Sequence, residues 1–147
     1  MPIPRIYFDL CALKRGWDDQ TQARVRFETE AVDVLLQLVR LRRAIFLRSN
    51  LHQIENATNK RPERRASVEE LLLRHPESAV PDDLLEARSR WLKGMGLGAM
   101  DAAHLAAAEI LQADALVTTD DRFIRQAARH AAGTRVVEPV RFATEIL

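Results

Sequence analysis

The stretch DAAHLAAAEILQADALVTTDDRF, residues 101–123, decides the predicted fold. Residues 100–111 are apolar on nearly every face of a helix, which is typical of a helix buried at the centre of a protein. Residues 115–119 then form a short apolar run that predicts a buried strand. Two carboxylates, Asp120 and Asp121, follow this strand directly. The stretch therefore indicates an α/β unit with acidic side chains at the end of a strand.

The same alternation of strand and helix continues on both sides of this stretch. Further strands are predicted at residues 3–8, 44–48 and 135–138, and helices at residues 21–43, 49–59, 62–73, 81–93, 123–131 and briefly after Pro139. Strands that alternate with helices favour a parallel sheet with helices on both faces. We therefore predict an α/β fold, a parallel-sheet α/β/α sandwich of four to five short strands, and a single domain over residues 1–147.

The composition narrows the classes to which the protein can belong. Its 147 residues are 47% hydrophobic, enough for one domain with a sizeable core. A net charge of +1 excludes a strongly basic, histone-like binder. The single cysteine, Cys11, excludes a disulfide framework and a cysteine-built zinc site, so a reducing cytoplasm is the expected location. Asp9 interrupts the first apolar run and no run approaches the ~20 residues of a membrane span, so we expect neither a targeting segment nor a membrane association.

Carboxylates follow several of the predicted strands. Asp9 ends the first strand, Glu55 lies on the helix after the second, and Asp120 ends the third. Asp101 stands at the head of the buried helix. Ligands of parallel α/β folds gather beyond the carboxyl ends of the strands, so these acids should meet there. Because clustered carboxylates repel one another, a hard divalent cation such as Mg²⁺ is the expected partner, and one or two such ions serve nucleases.

Each acid also has a purely structural interpretation. Asp101 could be the N-cap of its helix, and either Asp120 or Asp121 could cap the helix that follows. Glu55 lies on the helix face that should be buried, where an unpaired Glu is seldom found. Asp9 is the hardest to explain in this way, because no helix is predicted directly behind it.

These residues lie within four motifs that together resemble the PIN domain, the small nuclease fold known from bacterial VapC toxins. The motifs are IYFD with Asp9, FLRSNLHQIE with Ser49 and Glu55, DAAHLAAAEI with Asp101, and ADALVTTDDRF with Thr118, Asp120 and Phe123. The resemblance spans nearly the whole chain, and the last two motifs are its specific part. One departure concerns Leu10 and Cys11, which stand where the family usually has a small polar residue followed by Asn or Ser. Cys11 offers a weaker hydrogen-bonding group at that position.

The resemblance implies a set of site residues and a cofactor. Asp9, Glu55, Asp101 and Asp120 are expected to hold Mg²⁺ or Mn²⁺ and to carry catalysis. Ser49, Thr118 and Asp121 are expected as site neighbours, with a helix cap preferred over an outer ligand for Asp121. His104 is predicted as a packed core residue and not as a metal ligand.

Basic side chains near these acids suggest a surface for RNA phosphates. The candidates are Lys14 and Arg15 after the first strand, and Lys60 and Arg61 after the helix that carries Glu55. An ordinary solvated face at a helix end explains the second pair equally well. Trp17 could stack on a base or anchor its loop in the core.

Two functions of different class remain open. The first is a metal-dependent endoribonuclease that cleaves single-stranded RNA, for which the resemblance implies a toxin role and a protein antitoxin. A homodimer is predicted from two long amphipathic segments, residues 21–43 and 59–73, and the resemblance points the same way. The second is a catalytically weak PIN-like module that binds RNA or protein. Cys11 favours the second, and the retention of four acids opposes it. A phosphatase is weaker still, because it would require an acid two residues after Asp9.

Overall fold

Four parallel strands form the sheet of the computed structural model, which describes residues 2–130 and 133–147. The strands are β1 (Arg5–Phe8), β2 (Ile45–Leu47), β3 (Ala115–Val117) and β4 (Arg135–Val137), in the order β2-β1-β3-β4. Tyr7 of β1 pairs with Leu47 on one side and Leu116 on the other, so β1 is a central strand. The predicted parallel α/β fold is confirmed.

Eight α-helices connect or flank these strands in the described part of the chain. They are α1 (Leu10–Leu13), α2 (Ala23–Arg40), α3 (Asn50–Asn56), α4 (Pro62–Leu73), α5 (Asp82–Gly94), α6 (Ala99–Ile110), α7 (Asp121–Ala128) and α8 (Pro139–Ile146). A 3-10 helix, Arg15–Trp17, follows α1. Pro62 and Pro139 stand in the first turns of α4 and α8, where proline costs no hydrogen bond. Residue 131, where a helix was predicted to end, lies outside the described residues.

Two differences from the predicted elements have local causes. The segment after Asp9 was predicted as a loop, yet α1 and the 3-10 helix occupy it, because such short helices leave no periodic pattern. Helix α2 ends at Arg40 and not at residue 43. Arg42 adopts a left-handed φ of 59°, and Arg43 N donates to Leu38 O at 2.8 Å in the helix-ending Schellman pattern. Glycine usually signals this motif, and none stands here.

The two faces of the sheet carry separate apolar clusters. Ile6 and Phe8 point into one cluster with α2, α4 and α8, whereas Tyr7 points into the other with α5, α6 and α7. Helix α6 lies in the second cluster and is buried over residues 104–108, as its all-round apolar pattern predicted. The layers leave the carboxyl ends of β1, β2 and β3 side by side, and the candidate site lies there.

Across the residues that the structure describes, no helix combines the length and the apolarity needed to cross a membrane.

Candidate metal centre

Asp9 is buried at the end of β1, and other side chains hold its carboxylate. Thr118 Oγ1 donates to Asp9 Oδ2 at 2.7 Å, and Cys11 Sγ lies 3.3 Å from the same oxygen. Helix α1 begins directly at Leu10, which corrects the expectation that no helix follows Asp9. Asp9 occupies the N-cap position of α1, but its side chain makes no capping hydrogen bond. The carboxylate is therefore directed to the site and not to the helix.

Cys11 takes part in the hydrogen bonding around Asp9 despite its departure from the family pattern. Its sulfur lies 3.2 Å from Thr118 Oγ1 and accepts from the backbone N–H of Thr119 at 3.4 Å. Burial raises the pKa of the Cys11 thiol to about 12, and the charge of Asp9 adds to this effect. The thiol therefore stays protonated and can donate weakly to Asp9. Cys11 therefore still forms hydrogen bonds around Asp9, although a thiol forms weaker ones than the Asn or Ser usual in the family.

Asp120 caps the helix that follows β3. Its Oδ1 accepts from the backbone N–H groups of Arg122 at 2.9 Å and Phe123 at 3.2 Å. Both bonds use one oxygen, so the cap leaves Oδ2 for another partner. Its own backbone N–H donates to Thr118 Oγ1 at 3.1 Å, which ties Asp120 to the residue that holds Asp9.

Asp121 has a different role from the predicted cap. Its two oxygens accept from the guanidinium of Arg24 at 2.6 and 2.8 Å, and this hydrogen bond lowers the pKa of Asp121. Asp121 is the first residue of α7 and is exposed. The prediction that Asp121 caps the following helix is therefore wrong, because Asp120 is the N-cap of α7.

Asp101 is half-buried in the first turn of α6 and is not the N-cap of that helix, because Gly98 occupies the cap position. Burial raises the pKa of Asp101 to about 6, with the negative charges of Asp9, Asp120 and Glu55 contributing to the rise. The negative charges of the other three predicted acids therefore act on Asp101. This electrostatic coupling is the situation that a bound cation relieves.

Glu55 projects from α3 to the same place. The ligand atoms of Asp9, Glu55 and His104 all lie within 4.8 Å of one another. His104 Nε2 is 3.1 Å from Glu55 Oε1. Burial opposes ionisation of Glu55, but the hydrogen bond from His104 and nearby positive charge, including that of Lys14, lower its pKa overall. The contact with His104 was missed by the sequence reasoning, although its place one turn after Asp101 was a usable signal.

A buried hydrogen-bonded chain stands behind Glu55. Tyr7 Oη lies 2.6 Å from His104 Nδ1 and 2.8 Å from Ser49 Oγ. Ser49 forms a capping box with His52, whose Nδ1 accepts from Ser49 N at 3.1 Å and whose Nε2 lies 2.7 Å from Phe8 O. Ser49 thus joins the network through Tyr7.

The donor set fits a hard divalent cation. Carboxylate oxygens are the ligands that Mg²⁺ and Mn²⁺ prefer, and mutually repelling carboxylates around a half-buried Asp101 need such a charge. Of the four predicted acids, Asp9 and Glu55 have ligand atoms within 4.8 Å of each other and could share such an ion. Asp101 and Asp120 are not in that group and are further candidates, because the charge of Asp120 acts on Asp101 together with those of Asp9 and Glu55.

The basic candidates divide into two groups. Arg15 is bound to Glu28 by Nε at 3.1 Å and Nη2 at 2.8 Å, and its Nη1 reaches Asp18 at 3.1 Å. Arg15 therefore holds its own segment in place and is not a free phosphate contact, contrary to expectation. Lys60 and Arg61 are exposed and line an open cavity of about 420 Å³ with Trp17. Trp17 is 42% exposed, so the alternative of a core anchor is wrong.

A PIN-domain family model matches residues 19–129, well over half of the chain, and the protein belongs to the PIN domain family. PIN domains are generally nucleases that need metal ions and bind RNA. None of the curated proteins matches the chain. The matched residues include Glu55, Asp101 and Asp120, and Asp9 lies before them and accepts a hydrogen bond from Thr118 of the matched segment.

Proposed function

We propose that this protein is a metal-dependent endoribonuclease that cleaves phosphodiester bonds of single-stranded RNA. Asp9, Glu55, Asp101 and Asp120 hold Mg²⁺ or Mn²⁺ and carry catalysis. The observation that carries the proposal is that ligand atoms of Asp9 and Glu55, from distant parts of the chain, lie within 4.8 Å of each other. The pKa of the half-buried Asp101 is raised by burial and by the charges of Asp9, Asp120 and Glu55, which supports placing the other two acids at the same site. Carboxylates close to one another repel and destabilise the fold, and a bound cation would offset that repulsion.

The protein groups have distinct tasks in this mechanism. A bound divalent cation supplies Lewis-acid activation of water and stabilises charge on phosphate oxygens. Thr118 orients Asp9, and the α7 cap orients Asp120 so that its second oxygen is available. Lys14 brings positive charge close to Glu55, at the rim where the RNA backbone approaches.

The open cavity lined by Trp17, Lys60 and Arg61 suits an unpaired strand. Lys60 and Arg61 supply charge for phosphates, and the exposed ring of Trp17 in the same cavity offers a face for a base. Arg64 fixes this aromatic residue, because its Nη2 donates to Trp17 O at 2.7 Å. Bases inside a duplex are already stacked and cannot use such a face.

We further propose a cytoplasmic homodimer that acts as the toxin of a toxin–antitoxin pair. The dimer is supported by exposed apolar side chains of α2 and α8, with Phe27 and Val140 lining two adjoining open cavities. The antitoxin is the proposed protein partner, and Asp121 stays a candidate outer ligand that an antitoxin or a cation could draw away from Arg24.

The test is cleavage of varied single-stranded RNAs by the purified protein in Mg²⁺ or Mn²⁺ and in excess chelator. We expect cleavage that requires the cation and is absent from the matching duplexes. Metal-independent cleavage would contradict the proposal. Tight RNA binding without cleavage would favour the binding-module alternative, and Cys11→Asn would then be the first variant to examine.

A further inference from the structure

Glu55 depends on a small helix for its position. Helix α3 has only seven residues, and isolated helices shorter than ~12–15 residues are marginal in water. The carboxylate must nevertheless hold one orientation to share an ion with Asp9. Something outside α3 must therefore fix the Glu55 side chain.

The contact between His104 and Glu55 has one hydrogen-bond direction. An ionised carboxylate can only accept, so the separation of 3.1 Å requires a hydrogen on His104 Nε2. When that is the only ring hydrogen, Nδ1 must accept, and the Tyr7 hydroxyl is its donor at 2.6 Å. Ser49 then donates to Tyr7 at 2.8 Å, so each hydrogen in the chain is used once. If Nδ1 also carries a hydrogen, the outer bonds reverse, but Nε2 still donates to Glu55.

We infer that His104 is a positioning residue that acts with Tyr7 and Ser49 to orient the Glu55 carboxylate, and that it does not itself ligate the ion. This inference rests on the proposed function. A ligand needs the Nε2 lone pair, and the hydrogen toward Glu55 occupies that position.

The surroundings make this chain rigid. Ser49, Tyr7 and His104 are 0% exposed, so water does not compete for their hydrogen bonds. Tyr7 lies in a central strand that is paired on both sides, which holds its side chain in place. The chain thus connects the middle of the sheet to one oxygen of Glu55 and leaves the other oxygen free of this contact.

Three variants separate positioning from bulk packing. His104→Leu removes the donor, His104→Gln keeps an N–H donor, and Tyr7→Phe removes only the hydroxyl. Mn²⁺ affinity by titration calorimetry, without RNA, should fall about 10–100-fold in His104→Leu, as it does when outer-shell partners are lost. It should fall about threefold to tenfold in Tyr7→Phe and recover most of the loss in His104→Gln.

Thr134→Val is the matched control for a lost buried hydroxyl. Thr134 Oγ1 donates to Ala113 O at 3.0 Å, away from the acids. This variant should melt lower and bind Mn²⁺ like the wild type. If Tyr7→Phe and His104→Leu also bind like the wild type, the inference is overturned.

Nitrogen NMR of the histidine rings gives a second readout. His104 Nε2 should carry hydrogen both in the metal-free protein and with saturating Mg²⁺. Loss of that hydrogen on adding Mg²⁺ would make His104 a ligand and overturn the inference. A wild type that binds no Mn²⁺ and cleaves no RNA would refute the proposed function, whereas the metal-free spectrum tests the direction of the His104 bond independently.

Discussion

At the scale of single residues, Asp9 and Asp120 sit at equivalent helix entrances and use their side chains differently. One carboxylate oxygen of Asp120 accepts hydrogen bonds from backbone N–H groups of α7. Asp9 makes no capping hydrogen bond to α1 and accepts one from Thr118 instead. A cap is stabilising on its own, so Asp120 has a structural reason to be acidic. Asp9 makes no cap, and its charge adds to the effect of burial, which raises the pKa of both Asp101 and Cys11.

Asp9→Asn should therefore nearly abolish cleavage without destabilising the metal-free protein. Asn keeps an oxygen for Thr118 but removes a charge that binds the ion. The rate should fall by more than the ~10–100-fold typical of lost outer-shell partners. The melting temperature in chelator should match or exceed that of the wild type, because repulsion of Asp101 is relieved. Glu86→Gln, an exposed charge change on α5, is the control and should cleave normally. A variant that melts well below wild type yet cuts at full rate would make Asp9 structural.

His52 should make stability depend on pH. Burial lowers its pKa to about 4 from the ordinary 6.5, with the neighbouring His104 adding to the effect. The unfolded chain binds the proton on His52 more readily than the folded protein does. The stability that depends on neutral His52 is therefore fully present above pH 6.5 and is lost as the pH falls toward 4. A shift of this size is of the order of 3 kcal/mol. The variant His52→Gln cannot be protonated at this position. The difference in free energy of unfolding between the wild type and His52→Gln, measured in urea, should therefore be smaller at pH 4.5 than at pH 7.5. The same difference in free energy of unfolding at both pH values would contradict this prediction.

At the scale of elements, the 3-10 helix and the start of α4 together form the proposed base-binding surface. Arg15 and Arg64 both bind Asp18, at 3.1 Å each, which joins these two segments. Their guanidinium groups are thereby used within the protein, and Lys60 and Arg61 remain for phosphate. Trp17 lines the same cavity as these two residues and is half-exposed.

Trp17→Ala should weaken binding of single-stranded RNA. Loss of one stacked base costs ~1–3 kcal/mol, about a fivefold to 150-fold rise in Kd. Trp17→Phe should keep most of the affinity, and Trp91→Phe is the control, because Trp91 packs its ring under Arg88 on α5. Fluorescence anisotropy with a labelled strand, in an Asp9→Asn background that prevents cleavage, measures the effect. Equal affinity of Trp17→Ala and the background protein would remove Trp17 from the RNA surface.

At the scale of the whole molecule, the distribution of exposed apolar side chains bears on the assembly. Phe27 is 53% exposed on α2, and Val140 and Leu147 of the C-terminal segment lie beside it. A small net charge of +1 offers little repulsion between two copies.

We expect sedimentation at micromolar concentration to give about twice 16.7 kDa. Phe27→Asp should shift the mass to that of the monomer, because an unpaired charge in an apolar interface is costly. Leu84→Asp is the matched control, since Leu84 on α5 is also 53% exposed, and it should leave the dimer intact. A wild-type mass near 16.7 kDa would refute the dimer.

The sequence by itself determined the layered α/β fold, because burial leaves a periodic trace along the chain. Helix α4 has the predicted bounds of residues 62–73, and α6 is buried as its alanine-rich pattern required. The four acids were also identified from their motifs and from their places at strand ends. These features are local, so nearby residues were sufficient to predict them.

Only the tertiary structure decided which polar groups meet. Tyr7 and His104 are 97 residues apart in sequence, and nothing local to either one indicates their hydrogen bond. The same holds for Arg24 with Asp121, a pairing that left the cap to Asp120. A side chain's neighbours along the chain constrain its burial, but hydrogen-bond partners are set by how the layers pack. For that reason the acids proposed to bind the metal could be selected from sequence motifs, whereas the side chains that contact them could not.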